Sequence, residues 1–522
     1  VAVQPLDGDG RAVQVMRSWF TAQPGEHLSC AGCHEDTRQV AAPQPTLAGL
    51  QSPVRVTPWH GPARGFSFDR EVQPVLDQHC VSCHDGADRG AEPNLRGGEL
   101  SRERGRGKYA GRFHQSYLAL HPFVHPPGPE SDSRLSQPGE YCAETSELIR
   151  LLRKGHHGVQ LDREAFERLV TWIDLNVPDH GSWGEQRKVP GKFAERRQEL
   201  RGRYANRPED PEQVVVAEAR AFQPLPRPVT RRGGGGQVPQ VRGWPMASEE
   251  AGARQKGVEP RQWAVELAEG VELELVAIPA GDFVQGEAGH APDEQPRVGR
   301  VEHPFLLSRC EISNRQFACF DPEHRSGTLS TYNKDATSPG LPLDGPEQPV
   351  ARVSWDQAQA FCEWLSSRTG RRFRLPTETE WEWACRAGSE SAMHFGAVDA
   401  DFRPFANLAD RRLAVLCRGD SPRWVPRVDS VDDGHTGSAP TGSFQPNPWG
   451  LHDMHGNLAE WTASEYEPGR FLPAAKTSAP WRVVRGGSFR SRPKLARAAY
   501  RCGYPAWVRP HDVGFRVVLE EH

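Results

Sequence analysis

Apolar positions recur at helical spacing in two short stretches of the first third of this chain. Val72, Val75, Leu76 and His79 line one face of residues 68–79, and Phe166, Leu169, Val170 and Ile173 line one face of residues 162–173, which stop short of Pro178. Residues three and four apart share a helix face, so both stretches predict short helices. From about Gln262 the pattern changes to short aliphatic runs, Gly and Pro turns, and many tryptophans. There, Val276-Ala277-Ile278-Pro279-Ala280-Gly281-Asp282-Phe283 predicts a strand and a turn, and Glu311–Phe317 the opening of a helix. Ser354-Trp355-Asp356-Gln357 and Thr377-Glu378-Thr379-Glu380 are capping boxes. In each, the hydroxyl accepts from the amide three residues on while the longer side chain reaches back. The first helix runs through Ala358, Phe361, Cys362 and Leu365 and closes at Gly370; the second runs through Trp381 to Cys385.

Residues 187–261 separate the two textures. They are Arg-rich, then carry Pro224, Pro226 and Pro228 and the run Gly233 to Gly236, a composition that predicts an exposed linker. The expected organisation is an N-terminal segment at 1–25, a region at 26–186, the linker at 187–261 and a second domain at 262–522. A chain of 522 residues with 37% hydrophobic and 25% charged residues has room for two or three domains. Its net charge of −4 gives no footing for nucleic acid or an anionic membrane. No apolar run approaches the ~20 residues of a membrane helix.

The chemistry concentrates in Cys30-Ala31-Gly32-Cys33-His34 and Cys80-Val81-Ser82-Cys83-His84. Cys-x-x-Cys-His is the attachment pattern of c-type haem: two thiols bond the porphyrin vinyl groups and the following histidine becomes the proximal ligand of the iron. Two covalent haems are therefore expected. The alternative is one zinc held by four thiolates, but zinc ribbons separate their pairs by roughly 15–20 residues, and Cys33 to Cys80 is far longer. Haem attachment of this type takes place outside the bacterial cytoplasm, so an exported, periplasmic protein is expected, with Val1 a processed or truncated start. Of eleven cysteines, four would hold haem; Cys142, Cys310, Cys319, Cys362, Cys385, Cys417 and Cys502 remain.

Methionine is the common distal ligand in small cytochromes c, yet only Met16, Met246, Met393 and Met454 occur, none between Cys80 and the linker. Histidines abound there instead: His114, His121, His125, His156, His157 and His180. His-His ligation or an open site is expected for the second haem, with His156 or His157, just before the 162–173 helix, as distal ligand. For the first haem the candidates are His60 and His27. The stretches Asp9–Phe20 and Gly65–Phe68, each leading into a haem motif, resemble the dihaem part of hydrazine synthase alpha-subunit-like proteins over roughly residues 1–185. That resemblance implies a missing propeller upstream, of which residues 1–15 would be the tail, and a haem that is catalytic rather than a relay.

In the second half, Arg374-Leu375-Pro376-Thr377-Glu378, Gly450-Leu451-His452-Asp453-Met454-His455-Gly456-Asn457-Leu458-Ala459-Glu460-Trp461, Arg485-Gly486-Gly487-Ser488-Phe489 and Gly514-Phe515-Arg516 resemble, in order, the motifs of the formylglycine-generating enzyme (sulfatase-modifying factor) family. The expected fold class is thus multidomain: a mostly α-helical dihaem cytochrome c region followed by an irregular α+β domain similar to C-type lectins. The resemblance implies oxidation of a substrate cysteine by two copper-binding cysteines, but their positions fall on Ser491 and Ala496. A hydroxyl and a methyl cannot replace two soft thiolates, so copper is not expected. It also implies one or two calcium ions: Asp453 and Glu460 side chains with Gly456 and Leu458 carbonyls at one, Asn407 and Asp433 with Leu408 and His435 carbonyls at the other. Cys385 with Cys502 is a conceivable pair, and Cys362 a buried free thiol.

Three functions follow from these residues. The first is an exported dihaem electron carrier whose C-terminal domain is a docking or structural module, working with a redox partner protein. The second is a haem oxidoreductase acting on a small nitrogen or oxygen species. The third is a protein-modifying oxygenase, which Ser491 and Ala496 argue against.

Overall fold

The computed structural model describes residues 3–16 except Asp9, and residues 51–520 except 53–58, 62–63, 88–91, 99, 102–112, 125–137, 187–190, 207–223, 227–237, 330–339, 417–425 and 468–479. Cys30, Cys33, His34, His27, His125 and Cys417 lie outside the described residues.

The single helix expected over 68–79 forms as two, Phe68–Glu71 and Gln73–His79. Pro74 accounts for the break: lacking an amide hydrogen, it fits only the first turn of a helix, so a new helix starts at Gln73. The second expected helix is Arg163–Asp174, capped by Asp162, whose carboxylate accepts from Ala165 N at 2.8 Å. It buries Phe166, Leu169, Val170, Trp172 and Ile173 against Phe68, Val72, Leu76 and Ile149. Each such side chain contributes roughly 1.5–3 kcal/mol on burial. The two amphipathic stretches thus cover each other's apolar faces. The helices Gln115–Leu120 and Glu147–Arg153 complete this small core, beside a two-residue antiparallel pairing of Leu100–Ser101 with Phe113–His114.

Among the described residues the C-terminal half holds two larger sheets and two two-stranded ones. In the five-stranded one the order is Phe373–Arg374, Val518–Leu519, Phe305–Ser308, Val271–Ile278 and Gln262–Ala268, all antiparallel, so a strand near the chain's end sits inside the sheet. The four-stranded one runs Cys502–Pro505, Trp481–Arg485, Ala459–Glu465, Val513–Gly514, with only the last pair parallel. Both capping boxes form, opening Trp355–Thr369 and Glu378–Arg386. A third box at Ser313 opens the short helix Asn314–Ala318. Phe361, Leu365, Trp461 and Phe515 centre one core, and Phe283, Trp381, Trp383 and Trp449 another. Buried ion pairs lie between them: Glu382 joins Arg386 at 2.9 Å and Arg485 at 2.5 Å.

The stretch expected as an open linker differs in its last part. Gly191–Ala205 is a largely exposed helix, but Ser248–Lys256 packs on the C-terminal domain. There Ala251 is buried and Gln255 Nε2 donates to the carbonyls of Ala277 at 2.9 Å and Trp449 at 2.7 Å. Contact through one methyl and one amide leaves no apolar stripe in the sequence, which is why this helix reads as solvated.

Candidate functional site

The second Cys-x-x-Cys-His motif continues the Gln73–His79 helix by one turn: Cys80 N donates to Leu76 O at 2.8 Å, Cys83 N and His84 N to Cys80 O at 3.0 and 2.9 Å. Both thiols are free, and burial, followed by the nearness of Cys83 and Asp77, pushes Cys80 up to about 12. His84 donates through Nδ1 to the Pro93 carbonyl at 3.0 Å. Because a carbonyl only accepts, the proton sits on Nδ1 and Nε2 is left with its lone pair for a metal.

Across from His84 lies His156, the preferred distal candidate. Their ring centroids are 5.9 Å apart with planes 24° from parallel. Were a haem attached at Cys80 and Cys83, His84 and His156 would be the two imidazoles near enough to hold its iron. Burial, then the neighbouring His157, His84 and Lys494, pushes His156 down to about 4, so the ring is in the neutral, ligating form at neutral pH. His157 is exposed, held at φ 47°, with its ring 4.6 Å from that of His156. His60, a candidate for the first haem, is turned to Glu167 instead, at 3.0 Å from Nε2. His114, one of the local histidines, is held by Asp179 at 3.0 Å, which raises its pKa.

The haem-motif half is docked on the C-terminal half through polar side chains that the sequence did not single out. Lys154, 8% exposed, reaches Glu294 at 2.7 Å, Asp293 at 2.9 Å and the Arg501 carbonyl at 2.7 Å. Arg150 donates to Tyr504 Oη at 2.9 Å, Arg352 Nε to Glu140 at 2.7 Å, and Arg492 pairs with Glu147. Arg153 lies over the Trp481 ring at 4.7 Å. A charge on a short helix reads in a sequence as a solvated face; only its partner across the interface shows otherwise.

One of these contacts, Arg492 with Glu147, falls on the loop holding Ser491 and Ala496. Ser491 Oγ accepts from Ser488 N at 3.0 Å. Ala496 is fully buried, and its carbonyl accepts from His455 Nδ1 at 2.7 Å. Neither position supplies a thiolate, so these residues do not fit copper. The remaining thiols do not restore it. Cys385 Sγ faces His455 Nε2 at 3.4 Å, and Cys502 Sγ faces the Val484 carbonyl at 3.9 Å. The conceivable Cys385–Cys502 pair is absent, each thiol being buried and directed to a different partner. Cys362 is buried and free, and burial raises its pKa.

The two loops named for calcium are adjacent, joined by a bridge between Asn407 and Gly456. Asn407 Nδ2 donates to the Gly437 carbonyl while its Oδ1 is buried without a partner. Asp433 takes the amides of Leu408 at 3.1 Å and His435 at 2.9 Å, and burial pushes it up to about 7. At the other loop, Asp453 Oδ2 accepts from Gly442 N at 2.7 Å and its Oδ1 is a second buried orphan. Burial pushes Asp453 up to about 6. Orphaned oxygens on raised carboxylates and amides suit a hard cation. Glu460 differs from expectation: its oxygens take Arg516 twice at 2.6 Å and Trp381 Nε1 at 2.7 Å, so it serves a buried ion pair. Among the described residues no three His, Cys, Asp or Glu side chains gather as a metal cage; the loops around Gly456, Leu458, Leu408 and His435 offer amide and carbonyl oxygens instead. No helix among the described residues is long and apolar enough to cross a membrane.

Comparison with known proteins bears on both halves. Residues 265–521 match the sulfatase-modifying factor enzyme 1-like domain, and residues 1–35 match the hydrazine synthase alpha subunit middle domain. A formylglycine-generating enzyme of Thermomonospora curvata is 31% identical, over 50% of this chain and 97% of that protein. The inactive C-alpha-formylglycine-generating enzyme 2 of Bos taurus is 28% identical, over 48% of this chain and 90% of its own length. Among solved structures, PvdO from Pseudomonas aeruginosa is 26% identical over 51% of this chain and all of its own, at a TM-score of 0.39.

Proposed function

Because its C-terminal half makes this chain a member of the formylglycine-generating enzyme family while Ser491 and Ala496 stand at the two thiol positions, we propose that it is an exported dihaem electron carrier whose family domain has lost catalysis and become the seat of the haem-bearing half. The observation that carries this reading is His156 placed opposite His84, on a segment fixed to the loop that would hold the catalytic cysteines. The relative named as inactive shows that the family fold persists without its activity.

In this reading Cys80 and Cys83 hold the second haem covalently, and Cys30 and Cys33 the first. Bound haem supplies one-electron transfer between its two iron oxidation states. The chain's own residues set how that happens. Pro93 fixes the His84 tautomer and ring orientation through Nδ1. His156, half-buried and neutral, would be the second residue to hold the haem iron, and a histidine there would favour relay over reaction with small molecules and give a lower potential than methionine would. Lys154, Arg150 and Glu140 lock the haem-bearing half to the C-terminal domain, so little of the site must reorganise during transfer. Calcium would be held by Asn407 and Asp433 at one loop and by Asp453 at the other, bracing the loops that meet at Gly456. The partner is a redox protein reached in the periplasm.

The test is expression of the full chain with a cytochrome c maturation system, followed by mass spectrometry and iron analysis. Two covalent haems per chain are expected; a chain that matures with no covalent haem would sink the proposal. Conversion of a cysteine-containing sulfatase peptide to its formylglycine form by the copper-loaded chain would overturn the loss of catalysis.

A further inference from the structure

Where the Glu147–Arg153 helix meets the Cys502–Pro505 strand, a cavity remains between the two halves, lined by Tyr141, Thr145 and Arg150 from one and Arg490, Ser491 and Tyr504 from the other. Its charges do not balance. The acidic groups on its wall are Glu140, Glu147 and Asp512. Glu140 is taken by Arg352 and Glu147 by Arg492. Asp512 accepts the Ser488 hydroxyl at 2.9 Å and alone is left to face both Arg150 and Arg490. Among the described residues, Arg150 and Arg490 on the wall thus share a single carboxylate, that of Asp512. Burial keeps the remaining basic wall residue, His511, below its ordinary value and so neutral.

Arg150 and Arg490 are also short of partners. Arg150 forms no ion pair among the described residues; it bonds Tyr504 Oη through Nη1, and its Nε is buried with no acceptor. Arg490 rests through Nη1 on His511, and its Nε too is buried with no acceptor. A guanidinium withdrawn from water without an anion is costly, and its planar fork matches a carboxylate's two oxygens. The Ser491 and Tyr504 hydroxyls add neutral polar contacts on the same wall.

We propose that this interdomain cavity binds one carboxylate group, gripped by Arg150 and Arg490, a site that rests on the docked arrangement of the two halves described above. Two guanidinium groups with one carboxylate between them among the described residues match a monoanion. Its source is either a free small carboxylate or a propionate of the bound haem, and the two are separable.

Isothermal titration calorimetry of the full haem-loaded chain with sodium acetate at constant ionic strength, and with inorganic phosphate in parallel, tests it. One acetate per chain is expected, weakened about tenfold or more in Arg150→Met and in Arg490→Met. Arg403→Met, which removes an exposed arginine paired with Asp401, should leave binding unchanged. If acetate is not bound, but Arg150→Met shifts the haem absorption and Arg403→Met does not, the carboxylate is the haem's own. Should Arg150→Met fail to fold, Arg150→Lys keeps the charge and loses the fork, and weaker acetate binding with an unchanged circular dichroism spectrum supports the site. Absence of both the acetate and the haem response overturns the proposal, as does binding of phosphate in place of acetate. The same titration on the full chain matured without haem reads acetate alone, so failure of the haem reading shows separately, as missing covalent iron.

Discussion

The two halves of this molecule satisfy their buried polar groups in different ways. In the C-terminal half the buried charges answer one another: Glu382 with Arg386 and Arg485, Glu460 with Arg516 and Trp381, Glu294 with Arg497 at 2.6 Å. The haem-motif half leaves functional groups open around the motif. His79 Nε2 is buried without a partner, Cys80 is a half-buried free thiol, and the His156 ring makes no hydrogen bond among the described residues. Native interiors pair nearly all such groups. In the C-terminal half these pairs are internal and open oxygens remain at the two loops, on Asn407 and Asp453, whereas in the other half the open groups lie around the Cys-x-x-Cys-His motif.

If that contrast is right, changes in the two halves must fail differently. The largest effect is expected from the double substitution Cys80→Ser and Cys83→Ser: covalent iron should fall from two atoms per chain to one, read by mass spectrometry. An unchanged iron content would remove the basis of the comparison. Next comes Glu382→Gln, which leaves Arg386 and Arg485 buried with a neutral partner. About 3–5 kcal/mol of stability should be lost, measured by denaturant unfolding, with the haem absorption of the folded protein unaltered.

A change at the seam is expected to fall below these. Lys154→Met removes the bridge to Asp293 and Glu294 and should cost about 2–3 kcal/mol, splitting one unfolding transition into two as the halves come apart. Removing calcium with a chelator should lower the C-terminal transition by roughly 2–4 °C for each 1 kcal/mol of binding withdrawn, leaving the haem spectrum unchanged.

A further effect concerns pH. Asp174 accepts the amides of Ala12 and Ala143, each at 2.8 Å, but burial still pushes its carboxyl up to about 7. The folded value lies above the unfolded one of about 3.9. The folded state therefore keeps a proton that the unfolded chain releases first. Stability of the N-terminal half should be fullest below pH ~4 and fall as pH rises to about 7. Asp174→Asn should flatten that slope in pH-dependent unfolding curves.

Much of the C-terminal fold was legible because its signals are local. The capping boxes at Ser354 and Thr377 and the stop at Gly370 fix helix ends within a few residues of chain, whatever lies around them. The two Cys-x-x-Cys-His patterns stand out for the same reason, their five residues being adjacent in the chain. What the sequence hid is what depends on distant partners. Pro74 broke a helix that periodicity made continuous. Gln255 buried a helix that composition made solvent-facing. Lys154, Arg150 and Glu140 carry the seam between the halves, yet nothing near them in the chain marks them out. Glu460 fits a ligand motif, but the fold gives it to Arg516.

The central claim, that His84 and His156 together close the second haem, is tested most directly by the absorption spectrum of the reduced full chain before and after carbon monoxide, in the wild type and in His156→Ala. The account predicts a second haem that is low-spin and inert to carbon monoxide in the wild type, and high-spin and carbon monoxide-reactive in His156→Ala. Identical spectra for the two proteins, each with two haems attached, would contradict it.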